Sequence, residues 1–150
     1  MGKRLKTSES RYQRQRSLRL MRCTPMSVIK KTVWIWIAID RNGRKFIDFC
    51  LGNRSASTGI SLWEKLKGKF RNSWFMTDYW KAYPVFIPSQ RHIQSKAETF
   101  TVEGYNSIFR HFLARLRRKT KAYSKSIEML ELSLELLVLK RNQGMQSILN

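Results

Sequence analysis

Two acids in this chain stand where side-chain types and spacing could support chemistry. Asp78 closes the apolar run "NSWFMTD" and is followed by Tyr79, Trp80 and Tyr83. Glu103 comes next in "FTVEGYN", with 24 residues between the two. Metal-assisted phosphodiester chemistry needs carboxylates converging on Mg²⁺, a hard ion that takes oxygen ligands and keeps several waters. Two such ions about 4 Å apart can activate an attacking oxygen and stabilise a leaving one. One acid should come from a rigid strand end and another from a helix crossing nearby, and Asp78 and Glu103 meet that description. An Asp after a strand is also a good helix cap. Residue type alone leaves both roles open for Asp78.

The elements that would position these acids can be read from periodicity. "VWIWIAID" (33 to 40) is an apolar, β-branched and aromatic run of strand length, and "KFIDFCL" alternates after it. "RNGR" separates them with an Asn-Gly pair, a strong hairpin signal, and Asp40 closes the first strand. Ser55 or Ser57 caps a helix through about Lys67, with Ile60, Leu62, Trp63 and Leu66 on its buried side and Gly68 at its end. "NSWFMT" is a short strand that delivers Asp78 at its C-terminal end. Pro84 and Pro88 forbid a long helix after it, and "RHIQ" reads as a further short strand. One helix is expected over 101–118, with Tyr105, Ile108, Phe109, Phe112 and Leu116 on one face and Glu103, Ser107, Arg110, Ala114 and Arg117 opposite. A second is expected over 125–141, with Ile127, Leu130, Leu134 and Leu137 inward. Its acids Glu128, Glu131 and Glu135 read as a solvated face. This order predicts an α/β fold, a mixed sheet with flanking helices. In such sheets the chemistry gathers beyond the carboxyl ends of strands.

Charge points to the partner. The 30 Lys and Arg against 10 Asp and Glu give a formal charge of +20, which calls for a polyanion, most commonly nucleic acid. Apolar content of 42% is enough to bury a core. No apolar run approaches the roughly 20 residues that span a bilayer. Cys23 and Cys50 lack metal spacing and read as reduced thiols of a cytoplasmic protein. His92 and His111 read as structural. Residues 1–31 hold ten Lys and Arg and one acid, Glu9, and read as a mobile basic arm. Arg110, Arg115, Arg117, Arg118, Lys119 and Lys121 form a basic stretch with no acid between Phe109 and Ser126. It fits phosphate contact, and a solvated helix end is the plainer alternative.

Taken together, "TDYWKAYPVFIP", "RHIQSKAETFTVEGYNSIFRHFLARLRRKTKAYSKS" and "VWIWIAIDRNGRKFIDFCLGNRS" resemble the catalytic part of the insertion sequence 1 transposases, across about 31–150. The resemblance implies a ribonuclease-H-like fold and a DDE enzyme that cuts and joins DNA strands. It also implies two Mg²⁺ ions, with Asp78 and Glu103 as the second and third catalytic acids and metal ligands. DNA, as element ends and target, is the implied partner, alongside a homo-oligomer or the full-length transposase, in the bacterial cytoplasm near the nucleoid. The first acid, expected in the strand before "WIWIAID" as an apolar-Asp-Glu pattern, is missing, because residues 10–39 contain no Asp or Glu. Asp40 is the only nearby substitute, and its place at the hairpin argues against it. The expected division is therefore a basic segment, 1–31, outside the family's pattern, as in a frameshifted or degraded copy, and a catalytic domain, 32–150. The alternative to an active transposase is a catalytically inactive DNA-binding remnant or regulator of transposition.

Overall fold

Alternating and continuous apolar runs build a mixed sheet with helices on both faces. The computed structural model describes residues 16–23, 26–28, 31–42, 45–113 and 126–149. Six strands form the sheet: β1 (Ser17–Arg22), β2 (Met26–Val28), β3 (Lys31–Asp40), β4 (Phe46–Gly52), β5 (Trp74–Thr77) and β6 (His92–Gln94). β4 pairs antiparallel with β3, and β3 antiparallel with β1. β1 and β5 run parallel, as do β5 and β6. β2 continues the line of β1 along β3: the Cys23 N–H reaches the Ile35 carbonyl at 2.7 Å, and Met26 then pairs with Val33. Across the sheet the order is β4, β3, β1 with β2, β5, β6.

The hairpin expected from "RNGR" joins β3 to β4, and the Asp40 N–H donates to the Lys45 carbonyl at 2.9 Å. Helix α1 (Ala56–Lys67) follows β4 and covers one face of the sheet. Leu62, Trp63 and Leu66 pack there with Leu18, Leu20, Trp36 and Phe75. Asn53 organises its start: the Asn53 N–H donates to Thr58 Oγ1 at 3.1 Å, and the Ser55 N–H donates to Asn53 Oδ1 at 2.9 Å. A short helix, α2 (Tyr83–Phe86), lies on the same side. Helices α3 (Ala97–Phe112) and α4 (Ile127–Leu149) cover the other face. There Phe109, Leu130, Leu134 and Leu137 meet Met21, Ile37, Ile39 and Phe46. Asn142 ties α4 to the start of β4 through both backbone groups of Phe46, at 3.1 and 3.0 Å.

Three expectations are corrected here. The reading of residues 1–31 as an arm does not hold for Ser17–Arg22 and Met26–Val28, which are strands. Leu18, Leu20, Met21 and Cys23 are buried, and the high density of Lys and Arg masked that short apolar alternation. Helix α3 starts at Ala97, ahead of the expected 101, and α4 runs on to Leu149 rather than 141. Ile60, Phe112 and Ile127, expected inward, are exposed. Phe112 is the last residue of α3 and Ile127 the first of α4, while Ile60 lies at the rim of α1's stripe. Periodicity gives a helix's apolar face but not how much of its length the neighbouring layer covers. Leu116, Ala114 and Arg117 fall outside the described residues.

Candidate active site at the end of the sheet

Asp78 is the first residue past β5, at the carboxyl end of the two parallel strands β1 and β5. It is half-buried. The Trp80 N–H donates to Asp78 Oδ1 at 3.1 Å, so the carboxylate closes a tight turn. It caps no helix: α2 begins at Tyr83, after Ala82. The Asp78 carbonyl accepts from the Thr77 hydroxyl at 2.9 Å and from Gln94 Nε2 at 3.1 Å. Thr77 is fully buried, and its oxygen lies 2.8 Å from His92 Nε2. If the hydroxyl donates to the Asp78 carbonyl, His92 must donate to the hydroxyl, which fixes the Nε2–H tautomer. Burial lowers the His92 pKa and keeps the ring neutral. The expected structural role of His92 thus has a definite content: it braces the backbone that presents Asp78.

Glu103 lies on α3. The Ser95 N–H donates to the Thr77 carbonyl at 3.0 Å, so the chain leaves β6 at the level of Asp78 and turns into α3. Glu103 lies about 9 Å along the helix from Ala97, by the 1.5 Å rise per residue, and is exposed. Farther on, Tyr105 and Phe109 stack on Phe46 at the hairpin end, with ring centroids 5.3 and 5.9 Å apart. α3 therefore runs from the Asp78 end of the sheet towards the Asp40 end.

Asp40 is not brought to this site. It pairs with Leu18, which pairs with Phe75, so Asp78 lies three residues farther along. That is about 10 Å along the strands and about 10 Å across two strand spacings. Metal ligands sit at about 2.1 Å from Mg²⁺, which rules Asp40 out as a partner of Asp78 on one ion. Its carboxylate instead accepts from Arg16 Nε at 3.0 Å and from the Asn42 N–H at 3.0 Å, shaping the hairpin turn.

β1 ends on a cation, Arg22. Counting on from the Arg19–Met76 pair, Met21 is level with Asp78 and Arg22 is one residue beyond. The Arg22 guanidinium lies 4.2 Å from the Trp80 ring centre, 5.3 Å from Trp34 and 5.7 Å from Trp36. Arg54 also stacks on Trp34, at 5.6 Å. Burial lowers the Arg22 pKa, the field of Arg54 lowers it further, and Tyr83 and Asp78 act in the opposite sense. Arg22 Nη1 and Tyr83 Oη are both buried without a hydrogen-bond partner. Sequence reading missed Arg22; the signal was its place two residues after Leu20 in "SLRLMR", a pattern short enough to be lost in a basic segment.

These residues can be weighed against a divalent-metal site. Among the described residues no three His, Cys, Asp or Glu side chains gather closely enough to hold an ion. The β1 end carries no carboxylate, and its last residue, Arg22, is a guanidinium. The side chains of the described residues do not fit a two-metal centre. Of the basic residues expected at DNA, Arg110 lies on α3, half-buried. Arg115, Arg117, Arg118, Lys119 and Lys121 lie outside the described residues.

The chain is similar in fold to a chain of the simian T-cell lymphotropic virus intasome in complex with PP2A regulatory subunit B56 gamma, with a TM-score of 0.56 over 78% of this chain and 46% of that one, at 14% identity. The fold is thus the ribonuclease-H-like, integrase-type α/β sheet. The chain is also 33% identical over 96 residues to the insertion element IS1 4 protein InsB of Escherichia coli (strain K12), covering 64% of this chain and 57% of that protein. It is 34% identical over 96 residues to the IS1 protein InsB of Shigella flexneri, covering 64% and 72%. The chain thus spans little more than half the length of the E. coli relative. The sequence profile of the IS1 transposases matches residues 26–142, a span that runs from β2 into α4 and contains both Asp78 and Glu103. The chain belongs to the IS1 transposase family.

Proposed function

We propose that this chain serves transposition as a DNA-binding protein that does not cut DNA by itself. The observation that carries this reading is the β1 end beside Asp78, where Leu20, Met21 and Arg22 stand and no acid is present. A formal charge of +20 and the basic stretch from Arg110 to Lys121 supply the attraction to phosphates. In this reading Arg110, Arg115, Arg117, Arg118, Lys119 and Lys121 contact the DNA backbone. Such a chain acts on the family's reaction by competing for element ends or by joining a mixed oligomer with a full-length transposase.

A second reading is favoured by one observation: Asp78 at the end of a strand and Glu103 on the helix that leaves its neighbour. In it, the chain is a transposase that cuts and joins DNA strands by metal-assisted phosphodiester transfer, with Asp78 and Glu103 as catalytic residues. One experiment separates the two. The purified chain is incubated with DNA bearing the element's terminal repeats, in Mg²⁺ or Mn²⁺. Binding without nicking, unchanged in Asp78→Asn, is the expected result. Nicking that is abolished by Asp78→Asn and by Glu103→Gln overturns the first reading in favour of the second.

A further inference from the structure

Helix α4 carries large apolar side chains on two opposed sides. Leu130, Leu134 and Leu137 face the sheet and are buried. Met129, Leu132, Leu136 and Leu139 form a second stripe, about 150° round the helix at 3.6 residues per turn. All four are exposed, Leu136 at 68%. Single exposed apolar side chains are ordinary, but a continuous stripe of them marks a surface that meets a partner. The stripe borders a groove of about 260 Å³ between α4 and the end of α3, lined by Phe112, Leu113, Ser133, Leu136, Leu137 and Lys140. The apolar surface thus extends sideways to Phe112, which is also exposed.

Spacing and flanking charge identify the partner. Steps of three, four and three residues are the a, d, a and d positions of a coiled-coil heptad, with Met129 and Leu136 at a and Leu132 and Leu139 at d. Glu135 then falls at g and Lys140 at e, on opposite edges of the stripe, and both are exposed. Neither forms an ion pair with another described residue. In a parallel pair of such helices g of one copy meets e in the next heptad of the other, so Glu135 of each copy faces Lys140 of the other. An antiparallel pair sets g against g and brings the two Glu135 carboxylates together, a repulsive arrangement. Glu128 and Glu135 along one edge also repel DNA phosphates and anionic lipid, whose binding helices carry Lys and Arg there.

We propose that the outer stripe of α4 docks on the same stripe of a second copy of this chain, in a parallel two-fold dimer oriented by Glu135–Lys140 pairs. A two-fold axis makes the patch self-complementary, so one stripe serves both copies. The inference goes beyond the DNA-binding reading and holds whether or not the chain cuts DNA.

Sedimentation equilibrium of the full chain without DNA tests it. The expected result is a monomer–dimer equilibrium that Leu136→Asp abolishes, with the Tm in dilute solution unchanged because the side chain is exposed. Glu135→Lys and Lys140→Glu are each expected to raise the dimer dissociation constant about tenfold, since each turns two attractive contacts repulsive. The double variant, with the charges exchanged, is expected to restore it. In a Cys50→Ser background, Leu139→Cys is expected to cross-link on oxidation, because equal d positions meet in the parallel dimer and lie about 15 Å apart in the antiparallel one. A chain that stays monomeric at every concentration overturns the proposal, as does a dimer that survives Leu136→Asp. Failure of the double variant to restore association, or of Leu139→Cys to cross-link, overturns it too. A monomer whose Tm falls in Leu136→Asp shows that the chain covers its own stripe, and overturns it equally.

Discussion

His92 gives the residue scale its clearest consequence. Its ring is half-buried, bonded to Thr77, and held neutral because burial penalises the charged form. The folded pKa is therefore below the unfolded value of about 6.5. The unfolded chain takes up the proton first as pH falls, so this group's stabilisation is complete above about pH 6.5 and is lost as pH drops through the lower folded value. Urea midpoints compared at about pH 7.5 and about pH 5 should show the loss, and His92→Gln should remove that share of it. Cys23 behaves oppositely in chemistry and inertly in function. Burial pushes its thiol well above the ordinary range, so it stays protonated and packs as a small apolar side chain. Alkylating reagents in the native state should modify Cys50, which is half-buried, before Cys23.

At the scale of elements, two contacts decide how the layers sit. Gly59 of α1 faces the sheet where a Cβ would lie 2.8 Å from Phe86 Cζ and 2.9 Å from Trp36 Cζ3. The helix approaches the sheet closely only because that carbon is absent. Gly59→Ala should therefore destabilise by about 1–3 kcal/mol, the usual cost of overpacking, despite the better helix propensity of Ala. Denaturant unfolding would measure it, and a neutral or stabilising result would mean that Phe86 moves aside without cost. On the opposite face, α4 presents Leu130, Leu134 and Leu137 to the sheet while Leu132 and Leu136 stay exposed. Leu134→Ala should cost about 2–4 kcal/mol and Leu136→Ala less than about 0.5, because only the first leaves a cavity. Equal costs at the two positions would show that α4 is rotated from the orientation described.

At the scale of the whole molecule, charge and partner are linked. A chain of +20 that neutralises DNA phosphates releases condensed counter-ions, so its affinity must fall steeply with salt. A plot of log K against log salt should be linear, with a slope of about −0.9 for each phosphate neutralised. Replacing Lys119 and Lys121 by Ala should flatten that slope by about 0.9 for each phosphate left unneutralised, and weaken binding to all sequences alike. A slope unchanged by both replacements would remove this stretch from the interface.

The strands from Val33 onward, α1, the inward leucines of α4 and the placement of Asp78 beyond a strand end were all legible in the sequence, because each is carried by local periodicity. So was the remoteness of Asp40, which follows from the reversal of an antiparallel hairpin. What periodicity could not reveal is how far the sheet extends upstream. β1 is six residues long and two of them are arginines, so its hydrophobic signal is weak. It becomes a strand because β3 and β5 flank it and satisfy both of its backbone edges. The same tertiary event decides the character of the site. The sequence by itself determined that residues 10–39 hold no Asp or Glu. Only the pairing of β1 with β5 set that acid-free stretch alongside the strand that ends at Asp78, since it joins segments far apart in the chain that no local rule connects.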